Sequence, residues 1–404
     1  VNVLFLSLID FESFSDRNIY SDLLREFIKN GHNVFSISPV ERRIGRETYM
    51  IQEGSSCILR LKIGNIQKVN SIEKGISTIL IEPLFINGIK KYFSNVRFDL
   101  VLYATPPITF AKVIKFIKKR DRAKSYLMLK DIFPQNSLDL GMLSAFGIKG
   151  LIYRYFRRKE KALYFLSDTI GCMSRANCNY ILRHNPEVES DKVEICPNSI
   201  EPLDLRVSDE DKNRLREMYG LPLDKKIFVY GGNLGRPQDV PFIINCLKAC
   251  SNIKTAYFVI AGSGTDRHYL EEYIESEKPQ HVKLFGFFPK EEYDSMIACC
   301  DIGLVFLDHR FTIPNFPSRL LAYMQAGLPV LCCTDKNTDV GKVVVNGRFG
   351  WWCPSDDKRQ FVSTVKEAVN KKDYRQMGYY GFLYLKNNFA ADLTYKMIKH
   401  RGEN

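Results

Sequence analysis

Short apolar runs alternate with amphipathic stretches along the whole chain. In the first half, residues 3–9, 33–38, 100–104, 125–129, 169–173 and 193–196 have the length and bounding turns of buried strands. Leu23, Leu24, Phe27 and Ile28 recur at helical spacing within 19–30, and 108–120 and 148–165 follow the same period. Gly31-His32 stops the first of these helices, and Pro106-Pro107 ends a strand. The second half repeats the rhythm. Its predicted strands are 226–230, 257–261, 282–285, 303–306 and 329–332, with helices at 240–249, 266–276, 290–299 and 318–326. A linker at 199–207 leads into a charged helix at 208–219, and 374–400 reads as a closing helix.

This alternation predicts an α/β protein of two parallel sheets, each with helices on both faces. Such sheets bind ligands beyond the carboxyl ends of their strands. With two in tandem, the expected site is a cleft between the domains. The informative residues are then those just after each strand.

At 404 residues the chain has room for two cores. Its 45% hydrophobic and 26% charged content excludes collagen-like, low-complexity and disordered classes. The formal charge is +12, and residues 1–200 hold 30 basic and 20 acidic side chains, so +10 of it lies in the first half. That asymmetry points to an anionic partner there, or to a solvated basic surface. The 11 cysteines include no C-x-x-C spacing and sit among apolar residues, as expected of a reduced cytosolic protein with neither disulfides nor a zinc site. No run approaches the roughly 18 apolar residues that span a bilayer. Residues 1–9 lack a basic leader and read as a strand rather than a signal peptide.

Gly231-Gly232-Asn233-Leu234-Gly235-Arg236 follows one strand and precedes a helix. Glycines admit a ligand to the backbone, the helix start offers N–H groups to an anion, and Arg236 can grip phosphate; a plain turn fits equally. Ala261-Gly262-Ser263-Gly264 ends the next strand in the same way. Phe285-Gly286-Phe287-Phe288-Pro289 is either a slot for a planar base or a loop packed on the core. Phe316-Pro317-Ser318-Arg319 opens a helix that closes at Ala326-Gly327, and its start is a candidate diphosphate seat.

In the first half, Lys130-Asp131-Ile132-Phe133-Pro134-Gln135 ends a strand. Asp131 is a cleft carboxylate able to orient or deprotonate a hydroxyl, or a cap. Asp16 and Asn18 either cap the first helix or, with Arg17, face a substrate. Lys112, Lys115, Lys118, Lys119, Arg120, Arg122 and Lys124 cluster at one helix end. Lys149, Arg154, Arg157, Arg158, Lys159 and Lys161 interleave with aromatic and aliphatic residues over 148–165, the make-up of a helix lying on an anionic membrane or of a core helix with a basic back. No His pair has metal spacing, and no acyl-transfer triad is visible.

The order of these motifs, with Pro317–Val330 (PSRLLAYMQAGLPV) the most specific, resembles the retaining GT-B glycosyltransferases of family 4, in particular the bacterial branch that builds O-antigen and capsule polysaccharides. Asp131-Ile132-Phe133-Pro134-Gln135 and Ile195-Cys196-Pro197-Asn198 fit that branch, and the likeness spans nearly the whole chain. It implies two Rossmann-like domains, 1–200 for the acceptor and 201–373 for the nucleotide-sugar, facing across a cleft, with 374–404 a helix crossing back to the first domain.

The resemblance also implies the site. Asp131, Arg236 and Arg319 become the catalytic residues. The donor is held by Gly232, Asn233, Gly235 and Arg236, by Gly262 and Gly264, by Phe285, Gly286, Phe287 and Phe288, and by Pro317, Ser318, Arg319 and Leu320. Asp16, Arg17 and Asn18 fall on the acceptor side. The implied reaction moves a hexose or N-acetylhexosamine from a UDP-linked donor to a polyprenyl-diphosphate-linked sugar or oligosaccharide. No metal or cofactor takes part, since arginines stabilise the leaving diphosphate. The implied location is cytoplasmic, peripheral on the inner face of the plasma membrane, with the basic first domain on anionic lipid; nucleic acid is not a partner. Two glutamates common in the family are replaced by Pro314 and Ala322, so ribose is held without the second of them. The rival readings are a non-catalytic nucleotide-sugar-binding subunit and a nucleotide-sugar 2-epimerase on the same architecture.

Overall fold

The computed structural model describes residues 1–66 and 71–403 as two compact units, 1–201 with 391–404 and 202–390. The first unit contains β1 (Asn2–Leu6), α1 (Ser21–Lys29), β2 (Asn33–Glu41), β3 (Tyr49–Glu53), β4 (Ser56–Ile63), α2 (Ser71–Tyr92), β5 (Leu100–Thr105), α3 (Ala111–Asp121), β6 (Lys124–Leu129), α4 (Gln135–Asp139), α5 (Gly147–Leu166), β7 (Thr169–Cys172), α6 (Arg175–His184) and β8 (Val193–Ile195). The sheet order is β3-β4-β2-β1-β5-β6-β7-β8, parallel except for the edge hairpin β3–β4.

The second unit contains α7 (Asp209–Met218), β9 (Lys226–Asn233), α8 (Val240–Ala249), β10 (Ala256–Ser263), α9 (Arg267–Glu277), β11 (Val282–Phe285), α10 (Lys290–Ala298), β12 (Ile302–Phe306), α11 (Arg319–Gln325), β13 (Val330–Thr334), α12 (Val340–Asn346), β14 (Gly350–Pro354), α13 (Lys358–Asn370) and α14 (Tyr374–Asn388). Its sheet, β11-β10-β9-β12-β13-β14, is wholly parallel. Both sheets are Rossmann-like, with their interior strands buried on both faces, which explains why those strands read as continuous apolar runs.

Local chemistry sets the boundaries. Asp239 accepts the Phe242 amide at 3.3 Å to start α8, with Pro241 in its first turn. Ser208 caps α7 through the Asp211 amide at 3.0 Å, and three acidic residues follow in the first turn, favourable to the helix dipole. Phe228 and Phe258 stack in the core of the second unit, centroids 5.2 Å apart; Val3, Phe5, Leu102 and Met128 anchor the core of the first.

The structure departs from the sequence reading in several places. The hairpin β3–β4 and the helices α2, α6, α12 and α13 were not expected, nor was β14. The stretch 374–404 is two helices rather than one. α14 belongs to the second unit, and α15 (Ala391–Glu403) packs on α1 in the first, where Tyr395 meets Phe27 edge-on at 4.9 Å. The break falls where the Ala391 amide leaves helical pairing and donates to the Ile200 carbonyl. All 11 cysteines are buried free thiols.

Candidate active site

At the carboxyl ends of β9 and β10, register sets Gly262 opposite Gly232 and Ser263 opposite Asn233. Gly232 (φ 126°) and Gly262 (φ 144°) adopt backbone conformations that L side chains rarely reach. A Cβ on Gly262 would overlap the Gly232 carbonyl oxygen, and one on Gly264 would overlap that of Leu234. The Leu234 amide donates to the Ser263 carbonyl, and the Asp266 amide to the Leu234 carbonyl, both at 2.9 Å. The two glycine loops are therefore zipped together. Beyond them, the buried Gln238 accepts from the Gly235 amide (3.2 Å) and from Asn233 Nδ2 (3.0 Å), fixing the turn. Arg236 extends from this turn, exposed, with no ion pair among the described residues.

Arg319, the first residue of α11, lies over the Tyr230 ring with its guanidinium carbon 4.3 Å from the centroid. A Cβ on Gly232 would stand 3.6 Å from that carbon, so the glycine loop and the guanidinium share one space. Nη1 of Arg319 is buried without a hydrogen-bond partner, and among the described residues no carboxylate pairs with it. Burial opposes its charge, and the hydroxyls of Tyr230, Tyr323 and Tyr293 outweigh that, so its pKa is raised. It is a fixed positive charge.

Three tyrosines frame the guanidinium. Tyr230 Oη donates to the Asn233 carbonyl at 2.6 Å, pinning the ring under Arg319. Tyr323 Oη accepts from the Gly231 amide and donates to the Leu304 carbonyl, both at 3.1 Å; burial pushes its hydroxyl up to about 12. Tyr293 Oη lies where a Gly231 Cβ would be, buried and without a hydrogen-bond partner. An unpaired buried cation is expensive. Here it is offset by the Tyr230 ring and the surrounding tyrosine hydroxyls, and an anion at the open Nη1 would complete it. α11 has just seven residues, and Ser318 is exposed and makes no side-chain cap, so the charge resides in Arg319 rather than in the helix start. Pro317 and Leu320 flank it, Leu320 within the core.

Arg267 links this space to β11, its Nη1 donating to the carbonyls of Gly262 and Phe285, each at 2.6 Å. Phe285 and Phe288 lie 5.5 Å apart, and Tyr219 meets both at 6.0–6.2 Å. Phe287 is 77% exposed, and nothing lies within 4 Å of where a Cβ on Gly286 would be. Nearby, Asp239, Asp308 and His309 bring possible metal-ligating atoms within 4.8 Å of one another. Both carboxylates are committed, Asp239 to the α8 cap and Asp308 to a fork from Arg310 (2.5–3.1 Å).

In the first unit, Asp131 follows β6. Its Oδ2 accepts from Asn136 Nδ2 at 2.7 Å. Burial raises the carboxyl to about 6, with the nearby Glu160 adding to the shift and the Ile132 amide and Asn136 opposing it. Asp16 accepts the amides of Glu12 (3.1 Å) and Ser13 (3.3 Å), and Asn18 Oδ1 those of Tyr20 (2.9 Å) and Ser21 (3.0 Å). Both side chains build the loop before α1. Arg17 beside them is half-buried.

The structure thus gathers Gly232, Asn233, Gly235, Gly262, Gly264 and Arg319 at one sheet end, with Arg236 at the rim and Phe285–Phe288 tied in through Arg267. The sequence reading missed Tyr230, Tyr293 and Arg267. Tyr230, as the last core residue before Gly231, carried a readable signal; Tyr293 and Arg267 gave none without the fold.

Residues 211–383 match the family model described as glycosyl transferases group 1. The probable glycosyltransferase WbjE of Pseudomonas aeruginosa is 23% identical over 335 residues, 82% of this chain and 81% of that protein. WcaI of Escherichia coli (strain K12), named for colanic acid biosynthesis glycosyl transfer, is 24% identical over 251 residues, 61% of this chain and 60% of that protein. The solved structure of Anabaena HepE in complex with UDP superposes with a TM-score of 0.70 at 13% identity, covering 99% of each chain. The chain therefore has the two-sheet α/β fold of the GT-B glycosyltransferases, and its second unit carries the likeness of a group 1 glycosyl transferase domain.

Proposed function

We propose that this chain is a retaining glycosyltransferase that moves a hexose or N-acetylhexosamine from a UDP-linked donor to a polyprenyl-diphosphate-linked sugar or oligosaccharide in cell-surface polysaccharide synthesis. The observation that carries this is Arg319: a half-buried residue whose guanidinium lies over Tyr230 against a glycine-lined loop, with Nη1 buried and unsatisfied. That arrangement suits a diphosphate, whose negative charge grows as the anomeric bond breaks. UDP in the HepE structure and the colanic acid name of WcaI support the donor and the pathway class.

Arg319 and Arg236 stabilise the leaving diphosphate in place of a divalent cation. The departing phosphate accepts the acceptor's proton on the same face, so retention needs no protein nucleophile. Phe285, Phe287 and Phe288 frame the base. Asp131 of the first unit orients the acceptor hydroxyl or stabilises the oxocarbenium-like centre. Among the described residues no helix is long and apolar enough to cross a membrane, and the proposed location is the inner face of the plasma membrane, bound peripherally through the basic first unit.

Arg319→Ala should lower transfer by about 10³-fold with an unchanged melting profile, and Arg319→Lys should recover part of it. Wild-type turnover in Arg319→Ala would refute the reading. A thermal-shift panel of nucleotide sugars should single out the UDP-linked donor, since a bound ligand stabilises by RT ln(1 + [L]/Kd).

A further inference from the structure

α5 has two apolar faces. One is core: Phe156, Leu163 and Tyr164 lie there with Gly150 and Glu160. The other is solvent-exposed: Ile148 (79%), Leu151, Ile152 and Tyr155, spaced i, i+3, i+4, i+7, with Phe146 (84%) just ahead of the helix. α2 repeats this, exposing Ile76, Ile79 and Leu80 while burying Ile81, Phe85 and Ile89.

The two stripes lie at the same end of the unit. α2 and α5 both connect parallel strands, so both start at the carboxyl ends of the sheet. Lys159 of α5 pairs with Glu82 of α2 at 3.4 Å, and Glu82 also accepts the amide of Lys112 at the start of α3. Beyond that pair, toward the carboxyl ends, α2 continues for roughly 16 Å and α5 for roughly 18 Å. The exposed apolar residues named for both helices fall in these ends, with Phe146 just ahead of α5.

Charge identifies what covers them. Of six cations on α5, Arg157, Lys159 and Lys161 are held by Glu160, Glu82 and Glu187. Lys149, Arg154 and Arg158 are exposed and have no ion pair among the described residues. The one acidic residue of the helix, Glu160, is buried. The inward face of α5 also holds the segment after Asp131: Tyr153 donates to Gln135 at 2.8 Å, and Phe156 meets Phe133 at 5.1 Å.

We propose that the N-terminal ends of α2 and α5 seat the first unit on an anionic bilayer, the apolar stripes in the headgroup–acyl boundary and the three free cations on lipid phosphates. This rests on the acceptor reading above, because it brings a membrane-borne acceptor to the helix that supports the Asp131 segment.

The test is vesicle cosedimentation of the full chain, with UDP binding measured on the same preparations. Phosphatidylcholine vesicles containing phosphatidylglycerol should bind about 100-fold more tightly than phosphatidylcholine alone, a factor of roughly five per free cation, and salt should erode the difference. Ile148→Ser with Leu151→Ser should weaken binding at least about tenfold without lowering the melting temperature, both side chains being exposed. Equal binding to both vesicle types, no binding, or a double variant that binds like wild type would overturn the assignment. So would a concentration-dependent dimer that the double variant abolishes while wild type ignores vesicles, since a second copy would then cover the stripes. Vesicle binding lost while UDP still binds refutes this surface alone. UDP binding lost while vesicles still bind refutes the donor reading alone.

Discussion

The two parallel sheets end in different chemistry. In the second unit the strand ends are glycines whose α-carbons lie against the carbonyl oxygens of the neighbouring loop, and the cation above them, Arg319, has a buried nitrogen with no partner. In the first unit the charges after β1 are met within the chain: Asp16 and Asn18 hold the amides of their own loop, and Arg60, though its Nε has no partner, donates to the Phe11 carbonyl and to Ser38 and pairs with Asp10. A cation without a counter-charge and a cation already paired are indistinguishable as residue types. Among the described residues they differ in whether a carboxylate meets the charge: Asp10 meets Arg60, and none meets Arg319. Asp131 is the first unit's exception, a carboxylate raised by burial rather than neutralised by a cation.

The sharpest way to break this contrast is at Gly262. Gly262→Val places a Cβ into the Gly232 carbonyl at φ 144°, where backbone strain adds to overlap. Its expected cost is about 3 kcal/mol or more, with loss of the glycine loops and of transfer together; a Tm within a degree of wild type would contradict the close approach.

Asp131→Asn comes next. It should lower transfer by about 10²-fold or more with UDP affinity unchanged. Its stability effect has a definite sign. The carboxyl titrates at about 6 in the folded chain and near ~4 when unfolded, so its charge penalises the native state above pH ~6 and not below pH ~4. The variant should therefore melt a few degrees higher at pH 8 and equally at pH 4. A Tm loss at pH 8 would instead mean that the carboxylate is a structural anchor.

The smallest effect is expected at Asn18. Asn18→Ala removes a side chain that holds the Tyr20 and Ser21 amides, costing about 1 kcal/mol while leaving acceptor KM alone. A raised acceptor KM with an unchanged Tm would return Asn18 to the acceptor side.

What the sequence disclosed follows the same division. The glycine-ended strands and Arg319 were legible because apolar runs stop abruptly at Gly231, Gly262 and Gly286, and a Pro-Ser-Arg start and Gly327 bracket α11. α2 was not legible: it carries apolar residues on a buried and an exposed face, with Pro83 inside, so no single stripe appears. The doubling of 374–404 gave no signal because neither Gly nor Pro marks the break at Phe389-Ala390. The two basic stretches read from the sequence resolve into paired cations, such as Lys118 with Asp168 and Arg120 with Asp121, and a few without an ion pair among the described residues. Tyr293 reaches Gly231 only through the packing of α10 in the second unit, which residue spacing does not encode.

In the proposed function Arg319, rather than a divalent ion, receives the donor's diphosphate. Calorimetric titration of UDP in the presence of EDTA, with wild type and Arg319→Ala side by side, tests it most directly. UDP should bind the wild type without added metal and bind the variant at least about 100-fold more weakly. Equal affinity for the two proteins, or wild-type binding that emerges only when magnesium replaces EDTA, would contradict it.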